Sequence, residues 1–177
     1  MNIFDIVGPV MVGPSSSHTA GAVKIGYVSS KLMSEKIIKE GMEIVFGKAE
    51  LEEAHPNSVL LKLTGEDGRQ LEVVGESLGG SLINIASIDG LSANFSGDYP
   101  TLIVHNLDQP GHVAEVTSML AHKMVNIAAM QLYRAGRGGE AVMVIECDQE
   151  IPEQSIRWLC HLEGVKKVTY YSLEEHK

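Results

Sequence analysis

The second half of the chain alternates between two hydrophobic patterns, and this alternation constrains the fold more than any other feature. Residues 101–107 have a β-branched interior and predict a strand. The next residues form the turn-forming run Asp108-Gln109-Pro110-Gly111. Apolar residues then recur at spacings of three and four, which predicts a helix: Val113, Val116, Leu120 and Met124. This half therefore opens with a strand, a turn and a helix.

Three more strands and one more helix follow. Residues 126–133, 141–147 and 166–173 predict the strands. Pro152 marks a helix start, where its missing amide hydrogen costs little, and Gly164 is predicted to end that helix in a left-handed cap. The order βαββαβ predicts the ferredoxin-like arrangement, with helices on one face of an antiparallel sheet.

The first half is less regular and predicts a helix followed by a β-meander. The helix is expected at about residues 18–33. Strands are expected at residues 43–46, 58–64, 70–77, 81–88 and 91–95. Glu66-Asp67-Gly68 and Asp89-Gly90 read as hairpin turns between them. The whole chain is therefore predicted to belong to the α+β class.

A cluster of turn-forming residues at positions 96–100 separates the two halves. We expect one domain at residues 1–97 and a second at residues 100–177. A length of 177 residues is enough for two small domains or one large one.

The composition excludes several classes of function. The net charge is −9, whereas proteins that bind nucleic acid non-specifically need a basic face. There is no apolar run of about 18 residues that would span a membrane and no signal-peptide pattern near Met1, so we expect a cytoplasmic protein. The two cysteines, Cys147 and Cys160, are too few for an iron-sulfur cluster and are interpreted as reduced thiols.

The strongest functional signal is a run of polar side chains after a Gly-Pro turn: Ser15, Ser16, Ser17, His18 and Thr19. Hydroxyl groups, an imidazole and the free amides of a helix start would suit a small anion such as a carboxylate or phosphate. Any one hydroxyl could instead serve as an ordinary N-cap. His18 is the only member that titrates near neutral pH, so it is a candidate acid or base, or a hydrogen-bond donor.

Weaker signals lie further along the chain. His55-Pro56-Asn57 either presents two polar side chains to one spot or forms a plain turn, and Gly79-Gly80 permits a bulge, a bend or close approach to a ligand. In the second half, Asp108, Gly111 and Asn126 are expected to lie together and are candidates for binding an amino acid. Four other histidines are interpreted as structural or solvated, without metal-ligand spacing: His105, His122, His161 and His176.

Three motifs in order carry a resemblance to a known family. Residues 8–21 (GPVMVGPSSSHTAG), then His55-Pro56-Asn57, then residues 77–81 (SLGGS) resemble the β subunits of bacterial iron-sulfur-dependent L-serine dehydratases. The second half resembles the ACT domain, a βαββαβ module that senses amino acids. Together these resemblances cover nearly the whole chain.

The resemblance implies a lyase of amino-acid metabolism and gluconeogenesis that converts L-serine to pyruvate and ammonia. It implies a partner α subunit that carries a four-iron four-sulfur cluster, and a β subunit that is inactive alone. Ser15, Ser16, Ser17, His18, Thr19 and Asn57 would line the serine pocket, with His18 as the candidate base. The ACT-like half could also pair with a second copy. The alternative is a stand-alone amino-acid sensor or a detached regulatory module of a phosphoglycerate dehydrogenase.

The chain departs from the resembled family at one place. Members carry a further stretch with a Gly-His-Gly-Thr-Asp run between the first helix and the His-Pro-Asn motif. Here Leu32-Met33-Ser34 passes directly to Glu35-Lys36-Ile37. Since the flanking motifs are intact, this departure bears on the completeness of the serine pocket and on catalytic competence more than on the family resemblance.

Overall fold

Among the residues that the structure describes, eleven helices and strands form two antiparallel sheets with helices packed on them. The computed structural model describes residues 16–33, 45–48, 51, 55–65, 68–134 and 136–173. The elements are α1 (Ser16–Leu32), β1 (Ser58–Thr64), β2 (Gln70–Gly79), β3 (Leu82–Ile88), β4 (Leu91–Phe95), β5 (Thr101–Leu107), α2 (His112–His122), β6 (Ile127–Arg134), β7 (Glu140–Cys147), α3 (Glu153–Leu159) and β8 (Val165–Tyr171).

The first sheet is a meander in the order β1-β2-β3-β4. Two of its connections are two-residue turns in which both residues have positive φ, as a type I′ hairpin requires. Gly80 and Ser81 form one turn, with φ of 59° and 64°, and Asp89 and Gly90 form the other, with φ of 51° and 77°. The Asp89-Gly90 turn was predicted, whereas Ser81 was wrongly placed in the strand that follows.

Helix α1 lies close against β2 because a glycine on the strand makes room for it. A Cβ atom at Gly75 would overlap the Ile25 side chain and lie 2.9 Å from its Cγ1. Ile25 points into this contact, and both Ile25 and Val28 are almost completely buried in the core of the first sheet. The missing side chain on β2 therefore sets the depth at which the helix packs.

The second sheet has the order β6-β7-β5-β8, with all neighbouring strands antiparallel. Helices α2 and α3 contribute Val116, Leu120 and Leu159 to a buried cluster with Leu102 and Val104 of β5. The βαββαβ prediction and the α+β class are therefore confirmed.

The two sheets share one hydrophobic core. Along β5, Leu102 and Val104 face the helices, while Ile103 joins the core of the first sheet. The Phe95 ring at the end of β4 packs against the Tyr171 ring of β8, with the ring centroids 6.0 Å apart. The central strand β5 is therefore buried on both faces, and the first half covers the side of the second sheet that α2 and α3 leave open.

Polar contacts also join the halves. The Ser96 amide and hydroxyl both donate to the carboxylate of Glu146 on β7, at 3.1 and 2.7 Å. The Tyr171 hydroxyl donates to the Gly97 carbonyl at 3.2 Å. The segment predicted as a domain boundary is thus held against the second sheet, and the boundary at residues 97–100 stays a prediction.

Several element predictions differ from the structure. The helix predicted at residues 18–33 begins two residues earlier, so Ser16 and Ser17 lie in its first turn. Val45 and Phe46 were predicted to lie in a strand but have no regular structure and are 82% and 75% exposed, and the strand's first two residues lie outside the described ranges.

The third difference concerns helix α3, which ends at Leu159 rather than next to Gly164. Consecutive turns follow, in which the Leu162 amide donates to the Leu159 carbonyl and the Val165 amide to the Leu162 carbonyl. Gly164, with φ of 78°, belongs to the turn that enters β8.

Within the described residues, the structure contains no helix long and apolar enough to cross a membrane.

Candidate functional site

A hydrogen bond joins the serine-rich motif to the glycine-rich motif. The Nδ1 atom of His18, in the first turns of α1, lies 3.1 Å from the Oγ atom of Ser77 on β2. His18 is half-buried, whereas Ser77 is only 4% exposed. Two residues 59 positions apart in the sequence therefore form one polar contact at the edge of the core.

Gly21 allows this contact to form. It lies on α1 about one turn after His18, and a Cβ atom there would overlap Ser77 Oγ and lie 3.0 Å from Ser77 Cβ. The glycine therefore lets the Ser77 side chain lie directly against the helix and reach the imidazole.

The replacement Gly21→Ala is expected to destabilise the protein by about 1–3 kcal/mol, because the methyl group would force Ser77 away from the helix. The matched control is Gly26→Ala on the same helix, where a Cβ meets nothing within 4 Å. That change is expected to stabilise by about 0.5–1 kcal/mol, because alanine favours helix. Thermal unfolding measures both.

In a Ser77→Gly background, the loss of stability caused by Gly21→Ala should largely disappear. An undiminished loss there would contradict the contact between Gly21 and Ser77.

The His-Pro-Asn motif reaches the same place through the backbone. The Ser77 amide donates to the carbonyl of Asn57, at 3.0 Å. His55 holds the turn before β1: its ring Nδ1 accepts from the Asn57 amide, and its carbonyl accepts from the Ser58 hydroxyl. All three motifs therefore meet at Ser77, which the sequence analysis did not single out as a site residue.

The polar run at the start of α1 is only partly described. Ser15 lies outside the described residues, and Ser16 and Ser17 are placed in the first turn of the helix. Thr19 is exposed. No acidic residue occurs in this first turn, so the partial positive charge of the helix start is not offset there. A helix start with free backbone amides and an unopposed dipole is a suitable environment for a small anion.

The candidate amino-acid residues of the second half do not lie together within one chain. Strands β5 and β6 both pair antiparallel with β7, so they run parallel to each other. Asp108 follows the end of β5 and Asn126 precedes the start of β6, which places them at opposite ends of the sheet. The prediction that Asp108 and Asn126 lie close together is therefore wrong for a single chain. A ligand role for either residue stays a prediction.

Both side chains also have partners of their own. The Asp108 carboxylate accepts from the Gly138 amide at 3.2 Å and from Arg134 at 3.4 Å. The Asn126 side-chain amide donates to Asp148 at 2.6 Å. Gly111 has φ of 105° and precedes helix α2, as expected for the residue that opens it.

The two cysteines do not fit the ligand set of an iron-sulfur cluster. Cys147 is completely buried beside the apolar residues of β5 and β7, and burial raises the pKa of its thiol to about 11. Cys160 is exposed and follows α3. Among the described residues there is also no group of three or more His, Cys, Asp or Glu side chains that could hold a metal ion.

We expect a thiol reagent at pH 7–8 to modify Cys160 and leave Cys147 unmodified in the folded protein. Cys147 combines burial with a raised pKa, so its reactive thiolate is scarce and shielded. Mass spectrometry should find one label per chain before unfolding in urea and two afterwards. Rapid labelling of Cys147 in the folded chain would contradict its placement in the core.

Comparison with known proteins gives matches over both halves. Residues 100–157 match the family described as the ACT domain. A probable L-serine dehydratase beta chain of Bacillus subtilis is 31% identical over 213 aligned positions, which cover 95% of this chain and 96% of the relative. An L-serine dehydratase beta chain of Peptoniphilus asaccharolyticus is 26% identical over 85% of this chain and 88% of the relative.

A second group of relatives matches over only part of its own length. A D-3-phosphoglycerate dehydrogenase of Methanocaldococcus jannaschii is 29% identical over 80% of this chain but over 27% of the dehydrogenase. The alignment with the Bacillus protein is 213 positions long against 177 residues here, so at least 36 positions lie opposite gaps in this chain. That difference agrees with the shorter connection after the first helix noted in the sequence.

Proposed function

The chain belongs to the family of L-serine dehydratase beta chains, and we propose that it is the β subunit of a two-subunit enzyme that converts L-serine to pyruvate and ammonia. A separate α subunit would carry the four-iron four-sulfur cluster, which supplies Lewis-acid chemistry when bound. The unsuitability of Cys147 and Cys160 as cluster ligands supports this division. The structural observation that supports a site in this chain is that the three sequence motifs contact one another at Ser77.

We infer that the start of α1 binds the carboxylate of L-serine. Amides and hydroxyls of Ser15, Ser16, Ser17 and Thr19 would hold the carboxylate, and the helix dipole favours a negative charge there. The exposed Asn57 lies beside Ser77 and would contact the same substrate from the sheet. This orientation would bring the α carbon of the substrate next to the His18 ring.

His18 is the proposed base of the elimination. In the tautomer whose Nδ1–H donates to Ser77 Oγ, the lone pair of Nε2 is available to take the α proton of the substrate. Loss of that proton and of the β hydroxyl releases one water and leaves an enamine. Its imine tautomer adds one water and releases ammonia and pyruvate. Ser77 acts as a positioning residue that fixes the ring and its tautomer.

The site is proposed to be complete only in the complex, so the isolated chain would not turn over L-serine. His18 is half-buried and Thr19 and Asn57 are exposed, so the proposed site faces solvent in the isolated chain. A partner that covers this side would exclude water and supply the missing wall.

The alternative function is an amino-acid-sensing protein without chemistry of its own. The ACT match at residues 100–157 and the partial similarity to phosphoglycerate dehydrogenases favour it. The beta-chain relatives match along almost their whole length, which favours the dehydratase subunit. A sensor would need neither His18 nor a partner that contains iron.

Association of two copies through the second sheet is a further part of the proposal. Strand β6 is an edge strand whose only ladder among the described residues is with β7, and its sequence IAAMQLYR has no lysine or proline. The other edge strand, β8, carries Lys166 and Lys167, which discourage pairing. The strand edge suited to a second copy is therefore β6.

The replacement Leu132→Lys on β6 is expected to shift the protein from dimer to monomer, because a charged side chain on an edge strand opposes pairing. Leu132 is 48% exposed in a single chain, so the change should not disturb the fold. Sedimentation velocity measures the mass. The control Val45→Lys adds the same charge at a site that is 82% exposed, and it should leave the mass unchanged. A dimer that survives Leu132→Lys would contradict this arrangement.

The function is tested by capturing partners of the chain anaerobically from the cell that produces it. We expect a brown complex that contains an iron-sulfur protein and forms pyruvate from L-serine. A colourless chain that binds an amino acid, without an iron-containing partner and without turnover, would overturn the dehydratase assignment in favour of the sensor.

A further inference from the structure

A small cavity lies where the first sheet meets the second. Its volume is about 200 Å³, below the roughly 300–1,000 Å³ of pockets that hold drug-sized ligands. Asp89 and Leu91 border it from the first half, and His105, Glu140 and Lys167 border it from the second. Because both halves line the cavity, a ligand there would contact both.

His105 is the buried polar group of this cavity. Its side chain is on the face of β5 that meets the first sheet, as is Ile103 two residues before it. The residue is 7% exposed, and its Nε2 atom has no hydrogen-bond partner among the described residues. Burial, reinforced by the nearby Lys167 ammonium, lowers the pKa of His105, so the ring is neutral at pH 7. A buried polar atom without a partner is costly unless something binds it.

Two ion pairs at the cavity supply both signs of charge. The Lys167 ammonium lies 2.6 Å from the Asp89 carboxylate and links the two halves. The Lys166 ammonium lies 2.5 Å from the Glu140 carboxylate. With His105 neutral, the lining has two positive and two negative groups. These charges are partly exposed, so they are able to rearrange around a ligand.

We propose that this cavity binds a small zwitterion, specifically a free α-amino acid with a short uncharged side chain. An ammonium group would be met by Asp89 or Glu140, and a carboxylate by Lys166 or Lys167. An anion without an ammonium group would be repelled by the two carboxylates. A cation without a carboxylate would be repelled by the two ammonium groups. Leu91 and Val142 add an apolar wall for an aliphatic side chain.

The inference does not rest on the proposed enzymatic function. The residues involved belong to the β3–β4 turn, β4, β5, β7 and β8, whereas the candidate catalytic contact joins α1 to β2. A ligand that binds the folded chain at this junction would raise its unfolding temperature by mass action. Occupancy of the cavity is therefore measurable without any turnover.

The test is isothermal titration of the full chain with L-alanine, propionate and ethylammonium. The parent protein should bind L-alanine, and the two probes that carry a single charge should bind at least tenfold more weakly. L-alanine also carries the carboxylate that the start of α1 is proposed to bind, so the variants of the cavity itself separate the two sites. Absence of L-alanine binding, or equal binding of propionate, would overturn the proposal.

Two variants locate the binding. Lys167→Met and Asp89→Asn should each weaken L-alanine binding about tenfold, because each removes one charge-assisted contact. The control Arg157→Met removes the exposed Glu153–Arg157 ion pair on α3 and should leave binding unchanged. Thermal unfolding without ligand checks that each variant folds. Unchanged affinity in both folded cavity variants would overturn the assignment. Capture of the α subunit and pyruvate formation test the proposed function separately.

Discussion

His18→Ala is expected to lower turnover of L-serine by the complex of this chain with its α subunit about 10²- to 10⁴-fold, the usual contribution of a general base. The imidazole is held 3.1 Å from Ser77 Oγ in the first turns of α1, next to the proposed carboxylate site. Steady-state formation of pyruvate measures the effect, which should fall mainly on kcat because the carboxylate contacts remain.

The control for this prediction is His161→Ala. His161 is exposed, and its ring Nδ1 atom lies 2.7 Å from the carbonyl oxygen of Arg157 on α3. Its loss should leave turnover unchanged. Thermal unfolding and co-purification with the α subunit should be normal for both variants, since His18 is only half-buried. Near-normal turnover by His18→Ala would remove His18 from the role of base.

Phe95→Ala is expected to destabilise the whole chain by about 3–5 kcal/mol, because it removes a buried ring from the core that the two halves share. Phe95 is 1% exposed and packs against Tyr171 of β8. Phe46→Ala is the matched control, since its ring is 75% exposed, and its effect should stay within about 0.5 kcal/mol. Urea unfolding measures both, and Phe95→Leu gives a milder change if the alanine variant does not fold.

The same experiment tests whether the halves unfold together. Trp158 is the single tryptophan and lies on α3, in the second half. In Phe95→Ala, the urea midpoint of its fluorescence change should shift as far as the midpoint measured by circular dichroism of the whole chain. A Trp158 transition that Phe95→Ala leaves in place would mean that the second half unfolds independently of the shared core.

Local patterns predicted most of the elements. The bounds of β5 and β4 agree with the predicted ones, because β-branched or alternating residues lie between strong turn signals. The hairpin turn at Asp89 and Gly90 was also predicted, since few residues adopt positive φ easily. Such signals depend on neighbouring residues only and can be read without knowing the tertiary structure.

Contacts between distant segments were harder to predict. The position of Ser77 beside His18 depends on α1 crossing β2, which is possible because Gly21 and Gly75 lack side chains at the crossing. The separation of Asp108 from Asn126 follows from the parallel direction of β5 and β6. Burial of β5 on both faces depends on the first half covering the second sheet. Each of these follows from topology rather than from local pattern.

The most direct test of the central claim is a titration of the purified, cluster-loaded α subunit with this chain under anaerobic conditions. Pyruvate formation from L-serine should be absent from either subunit alone, rise with added chain and level off at one chain per α subunit. The iron chromophore should stay with the α subunit throughout. Full activity of the α subunit without this chain, or no activity at any ratio, would contradict the assignment of this chain as the β subunit.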